Sequence, residues 1–240
     1  MIFRKITFLF VCSVVSIIVK SQSVDEIIAK YIAFTGGAEK WKNIKSITSS
    51  GIYNYGGVEF PFKAYSKAPD LYEYIVTFKG KSFTQAYDGT NGWRIDGFKN
   101  EKKKTILTGK DAKALANESD VELESPFINY KEKGHTVMLE GKDTVNNKTC
   151  YKINLTRKDG DKETYFFDSD NFALIKKQAV SKNTELQNSM LDIFYSDYKT
   201  AEGITVPYKT SCLSNGQTML VITVQDIKLN LPVDDNLFKP

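Results

Sequence analysis

The chain has 240 residues, with 33 Lys+Arg against 29 Asp+Glu, a formal net charge of +4 and a single histidine. The first 21 residues hold Arg4, Lys5 and Lys20 and no acid, so without these three the remainder carries 30 basic against 29 acidic groups, a net charge of +1. A near-neutral body excludes the electrostatic footprint of a nucleic-acid-binding protein, and one histidine leaves little room for a hydrolytic triad or a zinc site.

The N-terminus reads as an export signal. Arg4 and Lys5 form a positive n-region, Ile6 to Val19 is almost wholly apolar, and Val19-Lys20-Ser21 offers a short-residue cleavage site. The apolar run is about 14 residues, short of the ~20 that span a bilayer as a helix. Cys12 follows bulky Val11 inside the apolar run, which argues against a lipid-anchored cysteine. The expectation is a cleaved signal peptide over 1–21 and a single exported domain over 22–240. That length suffices for one core, and no Pro-, Gly- or Ser-rich linker divides it.

Val24 to Phe34 places Ile27, Ile28, Tyr31 and Ile32 at i, i+3/i+4 spacing, the pattern of an amphipathic helix with Asp25 and Glu26 at its positive end. Gly36-Gly37 stops it, and Ala38 to Asn43 makes a second short helical piece containing Trp41. From Ile47 the signal becomes strand after strand. Ile47–Tyr55 and Val58–Ser66 flank Gly56-Gly57, a hairpin signature. Leu71 to Phe78 sets Tyr72, Tyr74, Val76 and Phe78 on one face. Lys79-Gly80-Lys81 turns, Ser82 to Tyr87 returns, and Asp88-Gly89-Thr90-Asn91-Gly92 turns again into Trp93-Arg94-Ile95.

Ile106 to Lys131 breaks this rhythm. Lys110 to Ala116 is a strong helix former, and Pro126-Phe127-Ile128-Asn129-Tyr130 adds an apolar piece. Strands resume at Thr136–Leu139, Thr149–Arg157, Glu163–Phe167, Ala173–Val180, Asp192–Tyr198, Thr205–Leu213 and Thr218–Leu229, joined by short polar turns. The fold class predicted is mainly β (α+β): a large antiparallel sheet that must curl, with barrel-like closure.

Chemistry is sparse. His135 opens a strand with no cysteine or carboxylate at ligand spacing. Asp159-Gly160-Asp161 and Asp168-Ser169-Asp170-Asn171 have the residues of turns and lack the full ligand series of a calcium loop. There is no phosphate loop and no nucleophile elbow. No catalytic residue, metal or cofactor is expected, and the protein is not read as an enzyme. Cys150 and Cys212 remain beyond the signal. A disulfide between them would close a loop of about 60 residues and add roughly 4 kcal/mol. Alternation instead puts Cys150 on a polar face with Lys152, Asn154 and Thr156, and Cys212 with Val206 and Tyr208, which leans against pairing.

Pro69, Leu71 and Tyr72, then a strand, then Asp88-Gly89 and Trp93 form a block that resembles the outer-membrane lipoprotein carriers of the LolA/LolB type. The helix ending in Gly36-Gly37 and the closing Val233-Asp234-Asp235-Asn236-Leu237-Phe238 are similar to the lipoprotein-sorting branch of Bacteroidetes-like bacteria. The resemblance implies an incomplete antiparallel barrel with Val24–Asn43 and Lys110–Tyr130 packed on its concave side, the second as a lid. It implies a monomeric periplasmic carrier whose partners are acyl chains of lipoproteins or other lipids, and membrane-bound donor and acceptor proteins.

The hydrophobic cavity would be lined by Tyr72, Tyr74, Val76, Phe78, Trp93 and Phe127. The competing expectation is that these side chains fill a core. The competing function is a lipid or hydrophobic-peptide sensor without cargo transfer. One departure is visible: where the carriers have Arg before the Pro, this chain has Ala68, with Lys67 one residue earlier. A one-residue shift in a strand turns the side chain to the other face.

Overall fold

The computed structural model describes residues 22–109, 111–112, 115, 125–181 and 189–240. The predicted signal peptide, and residues 110, 113–114 and 116–124 of the predicted lid, lie outside the described residues.

Two short helices precede thirteen strands. Helix α1 (Val24–Phe34) starts on a reciprocal capping box: Glu26 N donates to Ser23 Oγ, and Ser23 N to Glu26 Oε2. Its apolar stripe, Ile27, Ile28 and Tyr31, is buried. Gly36 ends it at φ 114°, and a Cβ there would stand 2.6 Å from the Gly203 carbonyl oxygen, so only glycine lets the chain pass so close to the sheet. Helix α2 (Ala38–Lys42) follows. Trp41 Nε1 donates to Thr35 Oγ1 at 3.1 Å, and Thr205 N to Thr35 O, which ties the helical pair to a strand end.

The strands are β1 (Ser46–Tyr55), β2 (Val58–Lys67), β3 (Leu71–Phe78), β4 (Lys81–Asp88), β5 (Gly92–Asp96), β6 (Thr105–Leu107), β7 (Thr136–Val145), β8 (Lys148–Thr156), β9 (Lys162–Asp168), β10 (Leu174–Val180), β11 (Met190–Ala201), β12 (Ile204–Ser214) and β13 (Gln217–Leu229). They form one antiparallel sheet in the order β6-β5-β4-β3-β2-β1-β13-β12-β11-β10-β9-β8-β7. The chain starts at the centre, walks outward to β6, crosses to the far edge at β7 and walks back until β13 lies beside β1. Two meanders, β1–β6 and β7–β13, therefore meet at one seam, and the sheet stays open between β6 and β7. The incomplete barrel expected from the sequence is what forms.

The largest differences from the sequence expectation lie at two strands. Strand β6 was not anticipated, and β7 runs to Val145 instead of stopping at Leu139. Both are edge strands. A bulge between Leu139 and Gly141 interrupts the alternation in β7, and Glu140, Lys142 and Asp143 make its second half read as a turn.

The faces of the sheet follow from the register. On the inner face, α1 and Phe127 pack over β8–β10: Ile27, Ile28, Tyr31, Phe127, Ile153, Leu155, Tyr165, Phe167 and Leu174 form one buried cluster. Tyr31 stacks obliquely on Phe167 at 4.9 Å, and Phe127 meets Tyr165 edge-on at 4.8 Å. Over the other half, the described part of the crossover brings helical Ala112 and Leu115 against Ala64, Tyr72 and Leu107. The described parts of the crossover thus pack on the concave side, Leu115 on one meander and Phe127 on the other.

Candidate functional site

Tyr72, Tyr74, Val76 and Phe78 all point to the inner face of β3, as alternation requires. The register sets Tyr72 beside Tyr87, Tyr74 beside Ala64 and Gln85, and Val76 beside Phe62 and Phe83. Ring pairs run through this wall: Tyr72–Tyr74 at 6.0 Å, Tyr74–Phe83 at 5.8 Å and Phe60–Phe78 at 5.0 Å. The wall is graded. At the Tyr72 end, Leu107 and Leu115 cover it and Tyr72 is buried. Further along, Tyr74, Phe78, Phe60, Phe62 and Phe83 are only half-buried. It continues past β1 through Tyr53 to Ile222 and Leu220 of β13, also half-buried.

This continuity needs Gly51. A Cβ there would lie 2.1 Å from the Thr223 carbonyl oxygen and 2.9 Å from the Phe62 ring, where β1 shifts register against β13.

Two of the six predicted residues stand elsewhere. Trp93 is on the outer face of β5, because its neighbour Gly92 is the one that faces Leu107 and Leu115. The indole is 3% exposed, donates from Nε1 to the Phe238 carbonyl at 2.7 Å, and lies under the Lys104 ammonium at 3.9 Å from the ring centroid. It anchors the C-terminal segment, whose Phe238 is fully buried.

Phe127 does face inward, but it sits in the α1 cluster of the other meander, 1% exposed and touching Tyr31, Tyr165 and Phe167. A shallow cleft of about 290 Å³ between α1 and residues 129–132 is floored by Ile28, Ile32 and Phe127 and rimmed by Asp25, Tyr130 and Lys131. Tyr130 and Lys131 both donate to the Asp25 carboxylate, which holds it below the usual range. The Phe127 end of the predicted lid is therefore packed core.

Lys67 also turns outward. Its ammonium donates to the Val233 carbonyl at 3.2 Å and pairs with Asp235, pinning the C-terminal segment to the outer face. It cannot stand in for an inward-facing arginine at the position of Ala68.

The polar groups of the outer face include one unusual carboxyl. Glu73 is 4% exposed, in register with Tyr65 and with Ala86, the neighbour of Trp93. Burial pushes its carboxyl up to about 7, with Lys104 pulling the other way, and its Oε2 has no hydrogen-bond partner among the described residues.

The remaining candidates for chemistry are structural. His135 precedes β7, half-buried, and its Nδ1 accepts from Lys158 N at 3.1 Å. Asp168 accepts from Asp170 N and pairs with Lys148 at 2.7 Å. Among the described residues, no three His, Cys, Asp or Glu side chains converge on a metal position. Both cysteines are free thiols whose pKa burial raises, the opposite of an activated nucleophile. Cys150 faces outward and Cys212 inward, but the Cys150 face is not polar there: the thiol is buried with Val145 and Phe166.

One residue that the sequence reading passed over lies on the inner wall. Arg94 is in register with Gln85 on β4 and Thr105 on β6, and so with Tyr74 one strand further. Among the described residues nothing accepts from its buried Nε. Strand parity counted from Gly92 would have found it.

No family model matches the chain, and no curated protein is similar to it in sequence. Solved structures share its fold. A DUF1329-family protein from Desulfovibrio piger aligns with TM-score 0.61 at 15% identity over 91% of this chain and 98% of its own. An outer-membrane lipoprotein-sorting protein domain from Vibrio parahaemolyticus gives 0.57 at 12% identity over 89% and 95%. A LolA-superfamily protein from Nitrosomonas europaea gives 0.55 at 13% identity over 92% and 99%. The LolA-like fold that the sequence resemblance implied is therefore the fold of this chain.

Proposed function

We propose that the protein is an exported periplasmic binding protein that carries acylated cargo, a lipid or the acyl chains of a lipoprotein, on the inner wall of its open sheet. The observation behind this reading is the half-buried run Phe60, Phe62, Tyr74, Phe78 and Phe83, extended by Leu220 and Ile222. A contiguous run of part-exposed apolar side chains is the mark of an interaction surface, and each methylene of it left in water forfeits about 0.8 kcal/mol. An acyl chain would bury it reversibly. Its release to a membrane or to a membrane-bound acceptor needs only that the wall be reopened. The fold shared with lipoprotein-sorting proteins supports a carrier, and a wall of apolar side chains without an activated nucleophile supports binding over catalysis.

Native mass spectrometry of the protein purified from its own periplasm tests this. Bound species that release acyl-chain fragments on activation are expected. A clean unliganded mass, unchanged after incubation with phospholipid or lipoprotein, overturns the reading.

A further inference from the structure

We propose that Arg94 is the headgroup anchor of this wall, so that the ligand is an acidic amphipath, one or more acyl chains ending in a carboxylate or phosphate. The inference rests on the acyl-binding reading and adds the chemistry of the ligand's polar end.

Arg94 lies on the inner face, between Gln85 and Thr105 in the register. Its Nε is buried and, among the described residues, has no hydrogen-bond partner. An arginine cannot discard its charge, and a buried donor left unpaired is costly. Asp96, two residues on along the same strand face, is already engaged. Its Oδ1 accepts from Phe98 N and Lys99 N, and its Oδ2 pairs with the Lys99 ammonium at 3.4 Å.

Beside Arg94 stands a neutral polar pair. The Tyr74 hydroxyl donates to Gln85 Oε1 at 3.4 Å, which leaves the Gln85 amide NH₂ available as a second donor to an oxyanion. The apolar side chains Tyr72, Val76, Phe83, Leu107 and Leu115 continue that face beyond the polar pair and Thr105. Tyr74 is two strand spacings from Arg94, about 10 Å. A headgroup at Arg94 therefore has its first methylenes at the aromatic wall. A planar guanidinium matches two oxygens of a carboxylate or phosphate at once, and a neutral ester or alcohol offers it no charge.

The test is calorimetric titration of the delipidated protein with oleate, methyl oleate and oleoyl lysophosphatidate. The acids are expected to bind about tenfold or more tightly than the ester, as a charge-assisted contact gives. In Arg94→Gln the acids should fall to the affinity of the ester, whose binding stays unchanged. Arg94→Lys should keep part of the preference. A larger gain for oleate or for lysophosphatidate identifies the headgroup as carboxylate or phosphate. Equal affinity of acid and ester in the wild type overturns the anchor while leaving the acyl wall intact, and so does a preference that survives in Arg94→Gln. Failure of all three to bind removes the acyl reading and the anchor together.

Discussion

The two meanders bury their inner faces in opposite ways. Over β8–β10 the face is sealed: α1 and Phe127 lie on it, Tyr31, Phe127 and Phe167 interlock at ring distances of 4.9–5.9 Å, and its charges are paired. Glu163 there is held by Arg157 Nε at 3.0 Å, Lys177 at 3.2 Å and the Tyr165 hydroxyl at 2.8 Å. Burial alone would push that carboxyl up, and the two cations more than reverse it. Over β2–β5 the same kinds of side chain are half-covered, and the buried Nε of the one arginine has no hydrogen-bond partner among the described residues. Aromatic content does not distinguish core from site here. The distinction is whether the rest of the chain completes the packing and the pairing.

The sharpest way to break that contrast is to remove a side chain from the sealed half. Phe127→Ala deletes a 1% exposed ring from the centre of the cluster and is expected to cost about 3–5 kcal/mol, a drop in Tm readable by circular dichroism. If Phe127 were instead a ligand contact, the variant would lose binding and keep its Tm.

The seam between the meanders is the next target. Gly51→Ala sets a Cβ against the Thr223 carbonyl oxygen, which is backbone and cannot rotate away. A loss of roughly 1–3 kcal/mol is expected from such overpacking. The Phe62 side of the wall should shift with it, so weaker acyl binding should accompany the lower denaturation midpoint.

How much of this was legible beforehand follows from where the period-2 signal held. It held in β1–β5 and β8–β13, so the open antiparallel sheet and the wall of Tyr72, Tyr74, Val76 and Phe78 could be read directly. It failed where side chains are set by partners distant in sequence. The family-like block suggests Trp93 as a cavity residue, but strand parity puts Gly92 with Tyr87 and Tyr72, and the indole belongs to Phe238, 145 residues away. Phe127 lies in a crossover with no period of its own, so nothing local tells which meander it joins. Arg94 was within reach of the same parity count, since it alternates with Trp93, but a lone arginine carries no motif.

Proton linkage separates the outer face from both halves of the inner one. Glu73 has its carboxyl raised by burial to about 7, against a usual value of 4.5. The folded state then holds a proton that the unfolded chain has released, so stability is fully present below about pH 4.5 and is lost as pH rises toward 7 and beyond. Glu73→Gln should abolish that loss and raise stability at pH 8 by on the order of 2 kcal/mol. Chemical denaturation at pH 5 and pH 8 measures it. Equal wild-type stability at the two pH values would show that Lys104 neutralises the carboxylate.

The smallest expected effect on folding is the most informative about function. Phe83 faces Tyr74 at 5.8 Å from a half-buried position on β4. Truncating it to Ala removes fewer packed contacts than Phe127→Ala does, so a cost of about 1 kcal/mol is expected, below the ~3–5 kcal/mol of a fully buried ring. In a filled core the consequence would end there. On an acyl-binding wall the same ring is covered by ligand in the complex, and its loss should weaken binding severalfold while the unliganded protein stays folded. The ratio of lost affinity to lost stability, compared between Phe83→Ala and Phe127→Ala, therefore ranks the two halves as site and scaffold. If Phe127→Ala lost the more affinity per unit of stability, the ranking would invert, and the α1 cluster would be the binding surface.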